Sequence, residues 1–131
     1  AEADLLISGI FSGRGENDAA LDVLDKLLSD KGIASSSKAE ALFRSAEILT
    51  AKGDKLKATA YFERVYVAYG KYRSMVAKSY LRRGELLEEL GRSREAIEVY
   101  SALVQREDLG DMPEHGQARR HLAELKEDND A

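Results

Sequence analysis

The chain has 131 residues, 20 of them Lys or Arg and 24 Asp or Glu, for a net charge of −4, and it contains no cysteine. One domain is the expected count, and disulfides, thiolate metal sites and thiol nucleophiles are excluded. The acid excess disfavours a nucleic-acid partner, and no apolar run approaches the ~20 residues that a membrane span needs. The chain opens on Ala1 without a signal-peptide pattern, which predicts a product of processing or a piece of something longer.

The first unit, about residues 1–35, begins with a helix starting essentially at Ala1. Leu5, Leu6, Ile7 and Ile10 make that helix apolar around much of its circumference. Gly15 ends it, Asn17 is the expected N-cap of a second helix carrying Ala20, Leu24 and Leu27, and Gly32 is expected to close that helix. The second unit, about 36–73, places Ala39, Leu42, Ala46 and Leu49 at helical spacing, with Phe43 one step after Leu42. Gly53 and Asp54 interrupt, and Ala58, Phe62, Val65 and Tyr69 resume the period to Gly70. The third unit, about 74–111, repeats the scheme through Gly91, Ser93, Ala96 and Tyr100. Ser36 and Ser74 are the expected caps of the first helices of units two and three. After Gly110 the only proline, Pro113, starts a seventh helix expected to run to Lys126, and the acidic tail 127–131 is expected to fray.

These elements share one step. Gly15, Gly53 and Gly91 lie 38 residues apart, as do Ala20, Ala58 and Ala96, and the small residues Ser8, Ala46 and Gly84. The apolar sets Phe11/Leu49/Leu87, Ile10/Ile48/Leu86, Leu24/Phe62/Tyr100 and Leu27/Val65/Leu103 keep the same step. A period of this size marks stacked supersecondary units. The small positions predict close approach of two helix backbones, and the bulky ones fill the space between helices and units.

The third unit reads Gly84, Leu87, Gly91, Ala96, Tyr100 with Tyr80 at an early aromatic slot; the second reads Ala46, Leu49, Gly53, Ala58, Phe62; the first reads Ser8, Phe11, Gly15, Ala20, Leu24. This pattern resembles the tetratricopeptide repeat over residues 1 to 107. The resemblance implies an all-α fold: a right-handed superhelical solenoid of three helical hairpins with the helix at 113–126 as a cap. Two features depart from the family. The period is 38 rather than 34, so each hairpin gains about one helical turn, and the usual proline at each unit's end is absent. Longer repeats of this kind are similar to those of bacterial cell-envelope members, which favours a periplasmic or envelope location over the cytoplasm.

The resemblance further implies a concave groove, lined by the first helices, that holds a partner protein or peptide. Its positions map onto an apolar ladder, Leu5, Phe43 and Leu81, and an arginine ladder, Arg44, Arg82 and Arg120, with Lys78 one turn before Arg82. Arginine forks suit carboxylates. The same residues also fit plainer roles. Arg44 with Glu47, Arg82 with Glu85 and Arg120 with Glu124 have the spacing of intrahelical ion pairs on a solvated face, and the apolar ladder fits packing between first helices. The two-carboxylate clamp of some family members is matched only by Lys78 and Arg82, with Leu5, Gly9 and Arg44 at its other positions, so binding of that type is not expected.

No reaction chemistry is expected, nor any cofactor. His115 and His121 are six apart, on different helix faces, so a metal site is not expected. The stretch Ser12 to Glu16 is glycine-rich but lacks the strand and lysine of a phosphate loop. Tyr61, Tyr66, Tyr69 and Tyr72 have the spacing of packing residues rather than of a base-stacking platform. The alternative to a peptide-binding module is a structural segment of a longer array that stacks with further repeats or self-associates. The apolar first helix favours it, because an end repeat needs a polar outer face. The polar stretch His115 to Lys126 serves as the cap at the other end, so any extension is expected upstream.

Overall fold

A computed structural model describes residues 1–130, with side chains through Asp128. Among the described residues all regular structure is helical: α1 (Glu2–Gly13), α2 (Asn17–Ser29), α3 (Ser35–Ala51), α4 (Lys55–Ala68), α5 (Arg73–Glu89), α6 (Ser93–Gln105), a 3-10 turn over Glu107–Leu109 and α7 (Pro113–Asp130). Three hairpins are followed by one further helix. Successive helices pack on each other, and the first helices also touch in a row, α1 on α3, α3 on α5 and α5 on α7. The result is a helical solenoid.

One turn is built three times. Gly15, Gly53 and Gly91 have φ of +75°, +85° and +76°, where only glycine is unstrained. In each hairpin the N–H after the glycine reaches the carbonyl five residues back: Glu16 to Phe11 at 2.8 Å, Asp54 to Leu49 at 2.9 Å and Arg92 to Leu87 at 2.8 Å. Each glycine N–H bonds three residues back, which completes a Schellman ending. This ending also fixes where the next helix starts. The N-caps are Glu16, Asp54 and Arg92, and none uses its side chain. Asn17 and Ser93 are therefore the first helical residues rather than caps. Ser36 and Ser74 likewise lie inside the first turns of α3 and α5, whose N-caps are Ala34 and Tyr72.

Gly32 and Gly70 do not close the second helices. α2 ends at Ser29 and α4 at Ala68, and neither glycine has a positive φ. The Asp30 carboxylate accepts the Gly32 N–H at 2.9 Å, a local turn of the Asx kind. The connections are tied instead through the first residues of α3 and α5. Ser35 shares a 2.6 Å hydroxyl hydrogen bond with Tyr72. Arg73, 38 residues on, donates to the Asp108 carbonyl at 2.6 Å and pairs with Asp111. The expected break before residue 127 is also absent: α7 continues to Asp130, and Ala131 lies outside the described residues.

The repeat positions form the core. Ala20, Ala58, Ala96, Leu24, Phe62, Tyr100, Leu27, Val65 and Leu103 are all fully buried. Across the hairpin, small and large residues trade volume: Ser8 accompanies Leu24, Ala46 accompanies Phe62, and Gly84 accompanies Tyr100. A Cβ on Gly84 would lie 2.7 Å from Cζ and 2.8 Å from Cδ1 of Tyr100. The widest ring therefore occupies the space left by the smallest residue. Tyr66 stacks on Tyr80 with ring centroids 3.7 Å apart, filling the α4–α5 contact. Leu109, in the 3-10 turn, is fully buried as well and joins the cluster of the third unit.

Candidate functional site

The row of first helices makes one face of the solenoid, and the residues expected to line it fall into two groups. Leu5 and Leu81 are each 7% exposed and belong to the core clusters of units one and three. Phe43 packs edge-on against Phe62, with ring centroids 5.7 Å apart. The apolar ladder thus faces inward and holds helices together; it is not an open apolar strip. The cause is its register: these residues sit one position before the arginines and so turn toward the second helices.

The polar group faces the open side, but its pairings differ from the expected ones. Arg44 bonds the Glu40 carboxylate on the preceding turn at 2.7 Å, and Glu47 has no ion pair among the described residues. Its other arm donates to the Leu5 carbonyl at 2.7 Å, which also accepts the Ser8 hydroxyl at 2.7 Å. Arg44 is therefore a strut from α3 to α1. Arg82 makes the expected pair with Glu85, at 3.2 Å. Arg120 and Glu124 are not paired with each other among the described residues, and Lys78 stands exposed without an ion partner there. Glu47 opens toward the groove, but the protein mass around it pushes its carboxyl above the usual range, against the pull of Arg82, Lys78 and Arg44.

Two clefts open on this face. One, of about 550 Å³, lies between α1 and α3 and is lined by Ser8, Gly9, Ser12, Arg44, Glu47 and Ile48, among others. The second, of about 320 Å³, lies between α5 and α7 and is lined by Glu85, Gln117, Arg120, His121 and Glu124. They are the same station two units apart: Arg44 and Arg120, Gly9 and Glu85, and Ile48 and Glu124 are equivalent under a double step of 38. Extending the step from Glu47 and Glu85 back to Gly9 in the sequence would have located the first cleft, whose glycine leaves space where the third unit has a carboxylate.

A cluster that the sequence reading missed closes the second cleft. His121 on α7 sits 3.0 Å from Glu88 and 3.6 Å from Glu85, and its ring stacks on Tyr100 with centroids 4.9 Å apart. The Tyr100 hydroxyl donates to Glu88. Burial, then that carboxylate, pushes the Tyr100 phenol far above its ordinary range, so it stays a donor. The sequence signal is slight, since Glu88 and His121 share no spacing and meet only because α7 packs on both α5 and α6. His115 is unrelated to this cluster: it is buried, with its Nε2 2.9 Å from the Val104 carbonyl at the end of α6.

The family model of the tetratricopeptide repeat matches residues 10–73 and 81–129. The chain belongs to the tetratricopeptide repeat family. No curated protein matches it. Tetratricopeptide repeats generally mediate protein–protein interaction, and the family is typically a non-enzymatic scaffold. Among the described residues no helix of this tetratricopeptide repeat protein is long and apolar enough to cross a membrane. Its two clefts thus lie along the face that the first helices form, with charged side chains of both signs at each.

Proposed function

We propose that this chain holds a partner polypeptide along the α1–α3–α5–α7 face, with Arg44, Glu47, Lys78, Arg82, Glu85 and Arg120 as the polar contacts. The observation that carries this reading is the pair of equivalent clefts two units apart, each with an arginine and a carboxylate at its edge. An extended segment of mixed charge fits such a face. Its acidic groups meet Lys78 and Arg120, and its basic groups meet Glu47 and Glu124, none of which is held by an ion pair among the described residues. Arg44 serves first as a strut to α1 and Arg82 is held by Glu85 on its own helix, so their carboxylate partners compete with any ligand.

A peptide array probed with the wild type and with Lys78→Glu/Arg120→Glu tests the reading, because both residues are exposed and their loss leaves the fold intact. Peptides captured by the wild type are expected to be lost by the variant, and acidic ones first. Undiminished capture by a variant with an unchanged thermal melt removes the groove from the account.

A second reading has its own support. α1 leaves Leu6, Ile7 and Ile10 between 43% and 70% exposed, a contiguous apolar stripe. This favours a segment that stacks with further repeats or self-associates through α1. Light scattering across a concentration series reads self-association directly, and a strict monomer counts against it.

A further inference from the structure

The exposed stripe on α1 has two covered counterparts inside the same chain. Ala3, Ile7, Ile10 and Arg14 correspond, one period on, to Ala41, Ser45, Ile48 and Lys52 of α3. There Ala41, Ser45 and Ile48 are buried, and α2 covers the face: Ala41 and Ile48 share a core cluster with Leu24 and Leu27, and Leu21 and Leu28 pack at its edge. At the end of this contact Lys52 bonds Asp18, in the first turn of α2, at 2.5 Å. A basic residue at the C-cap of one helix thus meets an acidic residue in the first turn of its neighbour, so the two run antiparallel. α5 presents the same face to α4, with Ser79 and Leu86 buried and Arg83, at the position of Ser45, paired to Glu63 at 3.2 Å. There the end pair is reversed in sign, Lys55 in the first turn of α4 meeting Glu89 at the end of α5 at 3.5 Å, and the helices again run antiparallel.

α1 presents this face to no helix among the described residues. Ile10 is 50% exposed, whereas Ile48 and Leu86 at the same position are 5% and 1% exposed. Arg14, at the position of Lys52, is exposed and has no ion pair among the described residues. Ala3, Ile7, Ile10 and Arg14 fall at i, i+4, i+7 and i+11, the stripe that one packed helix covers.

We infer that the outer face of α1 is a docking surface for an amphipathic helix of the α2 kind, lying antiparallel to α1, with leucines at i, i+3 and i+7 and an acidic first turn set against Arg14. This rests on the stacking reading and specifies the occupant. The charge pair sets the polarity: an antiparallel helix brings its first turn to Arg14, and a parallel one brings its last turn there, where the carbonyl ends favour cations rather than acids. The apolar stripe supplies the attraction and the single charge pair the direction.

The probe is a synthetic helix with the sequence of residues 17–29, held helical by a lactam between its solvent-facing Asp22 and Lys26, since so short a helix is marginal alone. It is titrated against the full chain, read by shifts of the Ile7 and Ile10 methyl groups. Saturable binding is expected, with at least a tenfold loss in affinity for a probe carrying Asp18→Lys. That probe recovers when the chain carries Arg14→Glu. Ile10→Glu in the chain abolishes binding with its melt unchanged, as its exposure allows. Binding indifferent to the charge exchange overturns the antiparallel docking while leaving the stacking reading in place. A chain that dimerises through α1 and excludes the probe overturns the inference in favour of a second copy. A monomeric chain that ignores the probe overturns both.

Discussion

Units one and three follow one pattern and end in different states. Leu86 and Ile10 occupy the same place in the repeat, but Leu86 is 1% exposed and Ile10 50%. Neither backbone nor residue type accounts for this, since both units carry the same Schellman turn and both residues are aliphatic. The difference is the helix in front: α4 covers α5, and among the described residues nothing covers α1. In a solenoid, burial is a property of the neighbour as much as of the residue.

The largest expected effect breaks this comparison directly. Leu86→Ala and Ile48→Ala each remove a packed side chain and should cost about 2–5 kcal/mol in urea unfolding. Ile10→Ala, at the same repeat position, should stay within about 0.5 kcal/mol. An equal loss at Ile10 would mean that α1 is covered in solution.

Next comes the trade of volume across the hairpin. Gly84→Ala drives a methyl group into the Tyr100 ring and should cost about 1–3 kcal/mol. Its cost should shrink when Tyr100→Leu is also present, because the first unit pairs Ser8 with a leucine at that place. A double-mutant cycle without coupling would reject the trade. Gly15→Ala, Gly53→Ala and Gly91→Ala should each cost about 1–2 kcal/mol. No atom lies within 4 Å of a Cβ built at any of them, so the positive φ alone sets the effect and the three should agree.

The smallest effect is a pH dependence. The Arg106 guanidinium, 2.7 Å from Asp108, holds that carboxyl below its usual range. A lowered folded pKa gives a contribution present above the unfolded value and lost as pH falls through the folded one. Asp108→Asn should therefore flatten the acid limb of the stability profile and leave the alkaline limb unchanged.

The hairpins, their turn glycines and the buried small-large positions were legible because each is a local requirement repeated at one step. Gly53 must be glycine at its φ, and Ala58 must be small, whatever the partner. The groove was less legible. Arg44 has two carboxylates in reach on its own helix, and only the position of α1, which brings the Leu5 carbonyl to its other arm, accounts for the choice of Glu40 over Glu47. Which of its two roles the apolar ladder takes was illegible for a related reason: one helical position separates a groove-facing side chain from a core-facing one. The Glu88–His121–Tyr100 cluster joins three helices, and only Tyr100 in it keeps the repeat step.

The central claim is that a partner lies along the first helices. Amide chemical-shift mapping with a peptide selected by the wild type tests it most directly. Shifts are expected at Gly9, Glu47, Lys78, Glu85 and Arg120, continuous across the units; shifts confined to the opposite side, at Arg64, Val67 and Glu98, would place the partner on the second helices instead.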